Sequence, residues 1–475
     1  MAWAAAWVIA IPCVAGALAF ALRGALRGLF IALGVAGATA AAAALVVFVA
    51  RDGARDLALG GWLAPLGIRL RADGLSAFFI ALQAGVGAIV SGYAAGYFAG
   101  DREGKAFWPL WLTLWAGLCG LYLTGDLFNA YVALELIGVT AVGLVAASGG
   151  AALVAGLRYL IVTLTGSLLY LAGVALVYAE IGAVDMEAAA QGLGPSPVAH
   201  VALALMAAGL LLKTAVFPMH FWLPPAHANA AAPASAILSG LVIKGSFYLL
   251  VRIWNDVFSA HADDMLAELM GVLGVAAVIW GSAQAIVAAR VKMLVAYSTV
   301  AQVGYLLMAF PLGGDAWPGA MYFAAAHGLA KAAMFAVAGA IARELGHDDI
   351  AKLGGAAGTL PAGFFAFALA GVSLIGLPPS GGFLGKWLLL SAAADHDHML
   401  YLAAIPAGTL MAAGYVFRVI APALAELRRA PRPSPWRLWR EAPPLVLALA
   451  ALALGFSLSP ALVLLSRGAP FGGGG

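Results

Sequence analysis

Five charged residues stand inside stretches that are otherwise apolar. Lys213, Lys244, Lys331 and Lys386 occupy "LLLKTAVF", "GLVIKGSFYLL", "HGLAKAAMF" and "GGFLGKWLLL", and Glu135 occupies "YVALELIGV". Lysine suits proton handling. Burial favours its neutral form and a nearby carboxylate restores the charged one, so a small change nearby toggles a proton. Arginine stays charged and cannot do this. The absence of arginine from these runs favours proton transfer over anion binding. His327 lies four residues before Lys331, on the same helix face, and its free pKa suits transfer near neutral pH. Ser298, Gln302 and Tyr305 repeat at helical spacing, as do Thr163, Ser167 and Tyr170. Such stripes either carry a hydrogen-bonded chain or bond one helix to the next. His220 and His227 flank a proline-rich turn, where they either relay protons or tie open carbonyls. Bland roles also exist for the charged set: Lys213 and Lys386 can snorkel from near helix breaks, and a Glu135–Lys pair can be structural. Asp126 and Asp73 read as structural, Asp126 as a helix N-cap, and "HADD" at 261–264 as a solvated loop.

The elements that must position these residues follow from composition. Of 475 residues, 64% are hydrophobic and 10% charged, against about 25% charged in soluble domains. Apolar runs of roughly 18–25 residues recur throughout, each long enough to cross a bilayer. The expected fold is an all-α polytopic membrane protein with helices near 3–21, 28–49, 75–99, 107–123, 127–147, 153–179, 198–217, 232–254, 266–288, 292–311, 317–342, 361–390, 400–421 and 443–465, fourteen in total. A charge at bilayer depth costs at least ~2.5–3.5 kcal/mol and marks an ion or proton path by default. The first apolar run has no charged segment before it, so it reads as a retained helix rather than a cleaved signal. Fifteen of the 25 basic residues fall in loops after odd-numbered helices and six in the others, Arg252 among the six and Lys292 among the fifteen. The bias places both termini on the outer side of a bacterial inner (plasma) membrane. The loop at 426–441 is basic, with interfacial tryptophans, and "FGGGG" is a loose end. Cys13 and Cys119 form no metal-binding cluster, and neither a dinucleotide fingerprint nor a phosphate loop is present. No metal, redox cofactor or nucleic acid is expected.

Two helices should be broken. Pro218, Pro224 and Pro225 interrupt the seventh after Lys213, and Pro378, Pro379, Gly381 and Gly382 interrupt the twelfth ahead of Lys386. Opened backbone at membrane depth survives only when buried in protein or lining a wet cavity. The breaks are five helices apart, which points to two inverted five-helix repeats, helices 4–8 (107–254) and 9–13 (266–421). The remaining units are 1–100, with helices 1–3, and 422–475, with the basic loop, helix 14 and a short tail. Two unrelated proline kinks are the plainer alternative.

The stretches "GDLFNAYVALELI", "LLKTAVFPMHFWLPPAHANAAAPASAILSGLVIKGSFYLLVRIW", "KMLVAYSTVAQVGYLL", "AAHGLAKAAMFAVAG" and "SLIGLPPSGGFLGKW" resemble the antiporter-like subunits shared by respiratory complex I and Mrp-type cation/proton antiporters, most of all the Mrp D subunit. The resemblance runs from about 70 to 420. It implies a fourteen-helix fold with inverted repeats, and a proton line in which Glu135 pairs with Lys213, Lys244 and the His327/Lys331 face continue, and Lys386 ends. The implied function is a proton-translocating subunit of a multisubunit sodium/proton antiporter. Its partners would be other membrane subunits, the lipid bilayer and protons, with sodium as the candidate counter-ion. The alternative is a proton-pumping subunit of a redox-driven complex, complex I-like or hydrogenase-linked. Pro225 stands where many complex I members have aspartate, and "AAAPAS" replaces the usual "APAP".

Overall fold

The computed structural model describes residues 2–62, 67–99, 103–314, 316–425 and 435–468. Arg102, most of the basic loop (426–434) and the glycine tail lie outside the described residues. The chain runs α1 (Ala2–Ala21), α2 (Gly24–Asp52), β1 (Arg55–Ala58), β2 (Arg69–Ala72), α3 (Gly74–Tyr97), α4 (Glu103–Leu123), α5 (Leu127–Ala146), α6 (Ala151–Ile181), α7 (Met186–Gly192), α8 (Pro197–Thr214), α9 (Leu223–Asn229), α10 (Ala232–Val257), α11 (Asp264–Val287), α12 (Val291–Leu312), α13 (Ala316–Leu345), α14 (Pro361–Ile375), α15 (Gly381–Asp395), α16 (Met399–Leu424), α17 (Pro435–Ala453) and α18 (Ser459–Leu465).

Twelve of these helices are long and apolar enough to cross a membrane, or thirteen when the stretch Arg440–Phe456 is joined to α18 across an 84° bend. The helix at 361–390, expected to be broken, is divided into α14 and α15, each shorter than a full span. Side-chain caps set several starts. Asp73, Asp126, Ser196, Asp263 and Ser380 each accept a backbone N–H from the first turn, satisfying donors that a helix leaves open. Asp126 is therefore an N-cap, as expected. The hairpin β1–β2 was not expected; its four antiparallel pairs run from Arg55↔Ala72 to Ala58↔Arg69.

Helices that face lipid are the most apolar, whereas those inside the bundle can carry polar and charged groups. The apolar windows of α10 and α13 are completely buried, while α1, α2, α6 and α16 turn large apolar residues such as Phe20, Leu33, Leu168 and Leu410 outward. Lys244 and Lys331 thus sit on the two innermost helices. The helix α6 packs closely on α8 because both carry glycine at the contact: a Cβ on Gly209 would stand 2.3 Å from the Gly166 carbonyl oxygen.

Candidate functional site

The first break follows α8. Ala215 takes a left-handed conformation (φ 59°, ψ 43°) and ends the helix two residues after Lys213. The Trp222 indole donates to the Leu212 carbonyl at 3.0 Å, beside the Ala215 N–H that the same oxygen accepts. Lys213 does not snorkel. It is 8% exposed and its ammonium donates to Thr163 Oγ1 on α6 at 2.7 Å. The expected Glu135–Lys213 ion pair is absent. Glu135 Oε1 is buried without a hydrogen-bond partner. A cavity of about 20 Å³ adjoins Thr163, Lys213 and Ser246, enough for one water. Thr214 Oγ1, next in sequence, bonds Ser246 Oγ on α10 at 2.8 Å.

Lys244 is held by a defect in its own helix. Residues Leu238–Val242 form a π-turn in which the Ile243 N–H reaches Leu238 O. That frees the Ser239 carbonyl from its α-helical partner, and Lys244 Nζ donates to it at 2.5 Å. Ser239 Oγ meets Thr299 Oγ1 on α12 at 2.9 Å, and Thr299 bonds Val295 O at 3.0 Å. Lys331 donates to the same Val295 carbonyl at 3.2 Å and to Ser298 Oγ. Two helices and four polar groups thus join Lys244 to Lys331.

From Lys331 the polar stripe on α12 leads onward. Ser298 holds Lys331, Gln302 Nε2 donates to Tyr415 OH at 2.8 Å while its Oε1 is buried and unpartnered, and the Tyr305 ring lies 4.1 Å from Lys386 Nζ. Ser298 thus meets one lysine and Tyr305 another, while Gln302 and Tyr305 also tie α12 to α16 through Tyr415 and Ile405 O. His327 is 1% exposed, and neither ring nitrogen has a partner. It lies within the electrostatic reach of Lys244, Lys331 and Lys386. At the second break, Gly376 (φ 86°) ends α14, and Lys386, on α15, donates back to Leu374 O at 2.9 Å and Ile375 O at 3.2 Å. Pro378, Pro379, Gly381 and Gly382 form the linker and the start of α15 between them.

Other expected residues are placed less directly. Ser167 Oγ is buried without a partner, and Tyr170 OH donates to Leu127 O at 3.2 Å. His220 stacks on Phe217 and His227 on Phe335; each has a buried, unpartnered Nδ1. Pro218 lies in the turn after α8, and Pro224 in the first turn of α9.

Three expectations are corrected. Arg252, read as a loop residue, is 3% exposed within α10, where Asp73 and Asp256 neutralise it at 2.5 and 3.0 Å, so one arginine does enter the buried helices. Lys292, also read as a loop residue, is buried at the start of α12 and donates to Ala230 O in the α9–α10 connection at 2.8 Å. His261 is buried and lies 2.7 Å from Gly194 O rather than in a solvated loop. Sequence reasoning also missed Ser239 and Thr299. Ser239 and Lys244 are five apart, a spacing that joins them only once a π-turn intervenes.

Residues 124–412 match the family model described as NADH:quinone oxidoreductase/Mrp antiporter, TM. The chain belongs to this family. It is 37% identical over 393 residues to the N subunit of the NADH-quinone oxidoreductase of Desulforudis audaxviator (strain MP104C), covering 81% of this chain and 78% of that one. It is 31% identical over 372 residues to the D subunit of the Na(+)/H(+) antiporter of Alkalihalophilus pseudofirmus, covering 77% and 75%. Among solved structures it is similar to a chain of the Mrp complex from Dietzia sp. DQ12-45-1b, with a TM-score of 0.88, 27% identity and coverage of 99% and 97%. A chain of the archaeal membrane-bound sulfane sulfur reductase gives a TM-score of 0.89 at 26% identity, covering 98% and 97%. A chain of Thermus thermophilus respiratory complex I gives 0.76 at 26%, covering 98% and 99%.

Proposed function

We propose that this chain is the proton-translocating subunit of a multisubunit monovalent cation/proton antiporter, with sodium as the cation. Protons pass along Lys213, Lys244, Lys331 with His327, and Lys386, and Glu135 modulates Lys213 through its field. One observation carries the reading: among the described residues, these four buried ammoniums rest on hydroxyls and carbonyls and none touches a carboxylate. A neutral host lets lysine lose its proton without leaving a buried carboxylate unpaired, whereas a tight ion pair would hold it. The bridging hydroxyls supply the connection between sites. Coupling along the line belongs to the set, so its protons leave in shared steps. The breaks after α8 and after α14 are matching elements of two inverted repeats in this reading. The chain lies in the bacterial plasma membrane beside other membrane subunits, with both termini outside, as the bias of basic residues favours.

A second reading has a specific support, the 37% identity to a subunit named for NADH-quinone oxidoreduction. In it the same line is driven by electron transfer in partner subunits. Purifying the chain from its native membrane, with co-purifying subunits identified and flavin and iron assayed, separates the two. Small membrane proteins without flavin or iron are expected. A hydrophilic arm carrying flavin, iron–sulfur clusters or nickel would move the assignment to a redox-driven pump.

A further inference from the structure

A cavity of about 830 Å³ opens between α2, α3 and α4, and no residue of the lysine line borders it. Small side chains make the space. Gly28, Ala32, Ala36 and Ala40 recur every four positions along α2, and Gly92 lines the cavity from α3. A Cβ added at Gly28 or at Gly92 would meet no atom within 4 Å. From Gly28 to Ala43 the wall is about 22 Å long, at 1.5 Å of rise per residue. Its hydroxyls are already used. Thr39 Oγ1 donates to Val35 O at 2.8 Å, and Ser91 Oγ donates to Gly87 O at 2.7 Å while accepting from Trp111 Nε1 at 2.9 Å. The wall therefore offers a guest apolar contact alone. The helix α2 is also the least buried of the membrane-length helices, so the cavity lies on the lipid side of the bundle.

One end of this groove is basic. Arg27 directly precedes Gly28, and its Nη2 donates to Lys105 O at 2.6 Å and to Gly104 O at 3.3 Å. Lys105 in turn stands one turn before Trp108, which lines the groove from α4. Arg23 stands four residues before Arg27 and gives α2 no side-chain cap, so the N–H groups of its first turn are open to an anion. Among the described residues none of these three cations is in an ion pair, and Arg27 Nε is buried without a partner. An apolar trough that ends in three cations without a carboxylate matches the two parts of an anionic phospholipid. Basic pockets between helices on the cytoplasmic side hold such head groups, and the charge bias puts this end on that side. A helix of a partner subunit fits less well. With its side chains it is 10–12 Å wide, so 22 Å of it takes up about 1,700 Å³ or more, twice the cavity.

We propose that this groove is the site of a bound anionic phospholipid, with its phosphate at Arg23, Arg27 and Lys105 and an acyl chain laid along the small-residue face of α2. The lipid completes the packing of α2 against α3 and α4, where the chain itself supplies no side chain. The site is independent of the proposed proton line.

The test uses the whole complex in liposomes that carry a trace of photoactivatable lipid, with a diazirine on one acyl chain and either a phosphatidylglycerol or a phosphatidylcholine head group. After illumination, labelled peptides are mapped by mass. The yield at 28–43 and 88–95 is divided by the yield at Leu410, an outward-facing position on α16 that reports ordinary bilayer contact. The phosphatidylglycerol probe should label the groove over the phosphatidylcholine probe by about tenfold or more. Equal labelling overturns the site. Arg23→Gln combined with Lys105→Gln leaves the Arg27 tie to α4 intact and should lower that preference by about threefold or more; an unchanged preference overturns the head-group assignment and the site with it. Gly92→Phe fills the trough from α3 and should abolish the preference at 28–43, and its persistence in an assembled complex overturns the groove. A photoreactive amino acid at Ala36 that couples to another subunit rather than to lipid overturns the proposal in favour of a partner helix.

Discussion

Lys386 Nζ lies 2.9 Å from the carbonyl oxygen of Leu374, so the lysine caps the end of a helix to which it does not belong. The last carbonyls of a helix lack internal partners, and a cation there also meets the negative end of the helix dipole. One side chain therefore does two things at the second break, closing the backbone and offering a titrating amine. The two roles separate by substitution. Lys386→Met should lower stability by about 1–3 kcal/mol, the range for charge-assisted bonds and buried acceptors left open, and should abolish transport. Lys386→Arg keeps donors and charge but cannot release a proton. It should retain most of the stability and still fail to transport. Thermal unfolding of the purified complex and vesicle transport read the two effects; an actively transporting arginine variant would remove Lys386 from the proton line.

Lys213→Ala and Glu135→Ala should each bring coupled transport to background while the protein still inserts and assembles. Near-normal rates in either would sink that residue's role. Thr163→Val tests the host rather than the lysine: it removes the hydroxyl at 2.7 Å and should slow transport without abolishing it.

Thr299→Val keeps the shape of the side chain and deletes the hydroxyl that links Ser239 to Val295 O. Stability should fall by about 1 kcal/mol, the usual value of one hydrogen bond. Transport should fall much further, because the bridge between Lys244 and Lys331 is cut. Equal small losses in both measurements would make the bridge structural only.

Gly209→Ala places a methyl 2.3 Å from the Gly166 carbonyl oxygen. The backbone of α6 must move, and Lys213 on α8 moves relative to Thr163. We expect lower stability and slower transport together, with Ala152→Gly on the same helix pair lacking the transport effect.

Outside the membrane, the Arg69 hydrogen bond and charge hold the Glu187 carboxyl below its ordinary 4.5. A depressed carboxyl contributes stability above its unfolded pKa and loses it as pH falls through the folded value. The tie between hairpin and α7 should therefore loosen on acidification below the ordinary glutamate range. Glu187→Gln should remove that dependence. Hydrogen exchange of the amides at 55–58 and 69–72 follows it, and protection insensitive to acid in the parent chain would show the tie to be idle.

Much of the site was legible in the residues. Lysine inside an apolar run has few uses, and Lys213, Lys244, Lys331 and Lys386 are all buried. Periodicity placed Ser298, Gln302 and Tyr305 on one face, where they do meet two of the lysines. The rest depended on features that leave no periodic trace. A π-turn shifts spacing by one residue, which hid Ser239 from Lys244. Arg252 lies near the end of α10 and Lys292 at the start of α12, where charge suggests a loop and their partners, Asp73, Asp256 and Ala230 O, reveal burial. The hairpin carries four charged residues in two short strands, a pattern that reads as loop. Resemblance suggested a Glu135–Lys213 pair, whereas the Lys213 ammonium bonds the Thr163 hydroxyl.

The neutral hosts of the four lysines also make the line electrically active. A proton arriving at an amine held by carbonyls and hydroxyls adds a whole unmatched charge within the bilayer, where an existing ion pair would have muted it. Membrane voltage acts on such a charge in proportion to depth, with a full crossing worth about 2.3 kcal/mol per 100 mV. If these lysines carry protons as proposed, their occupancy responds to the potential as well as to the pH on either side.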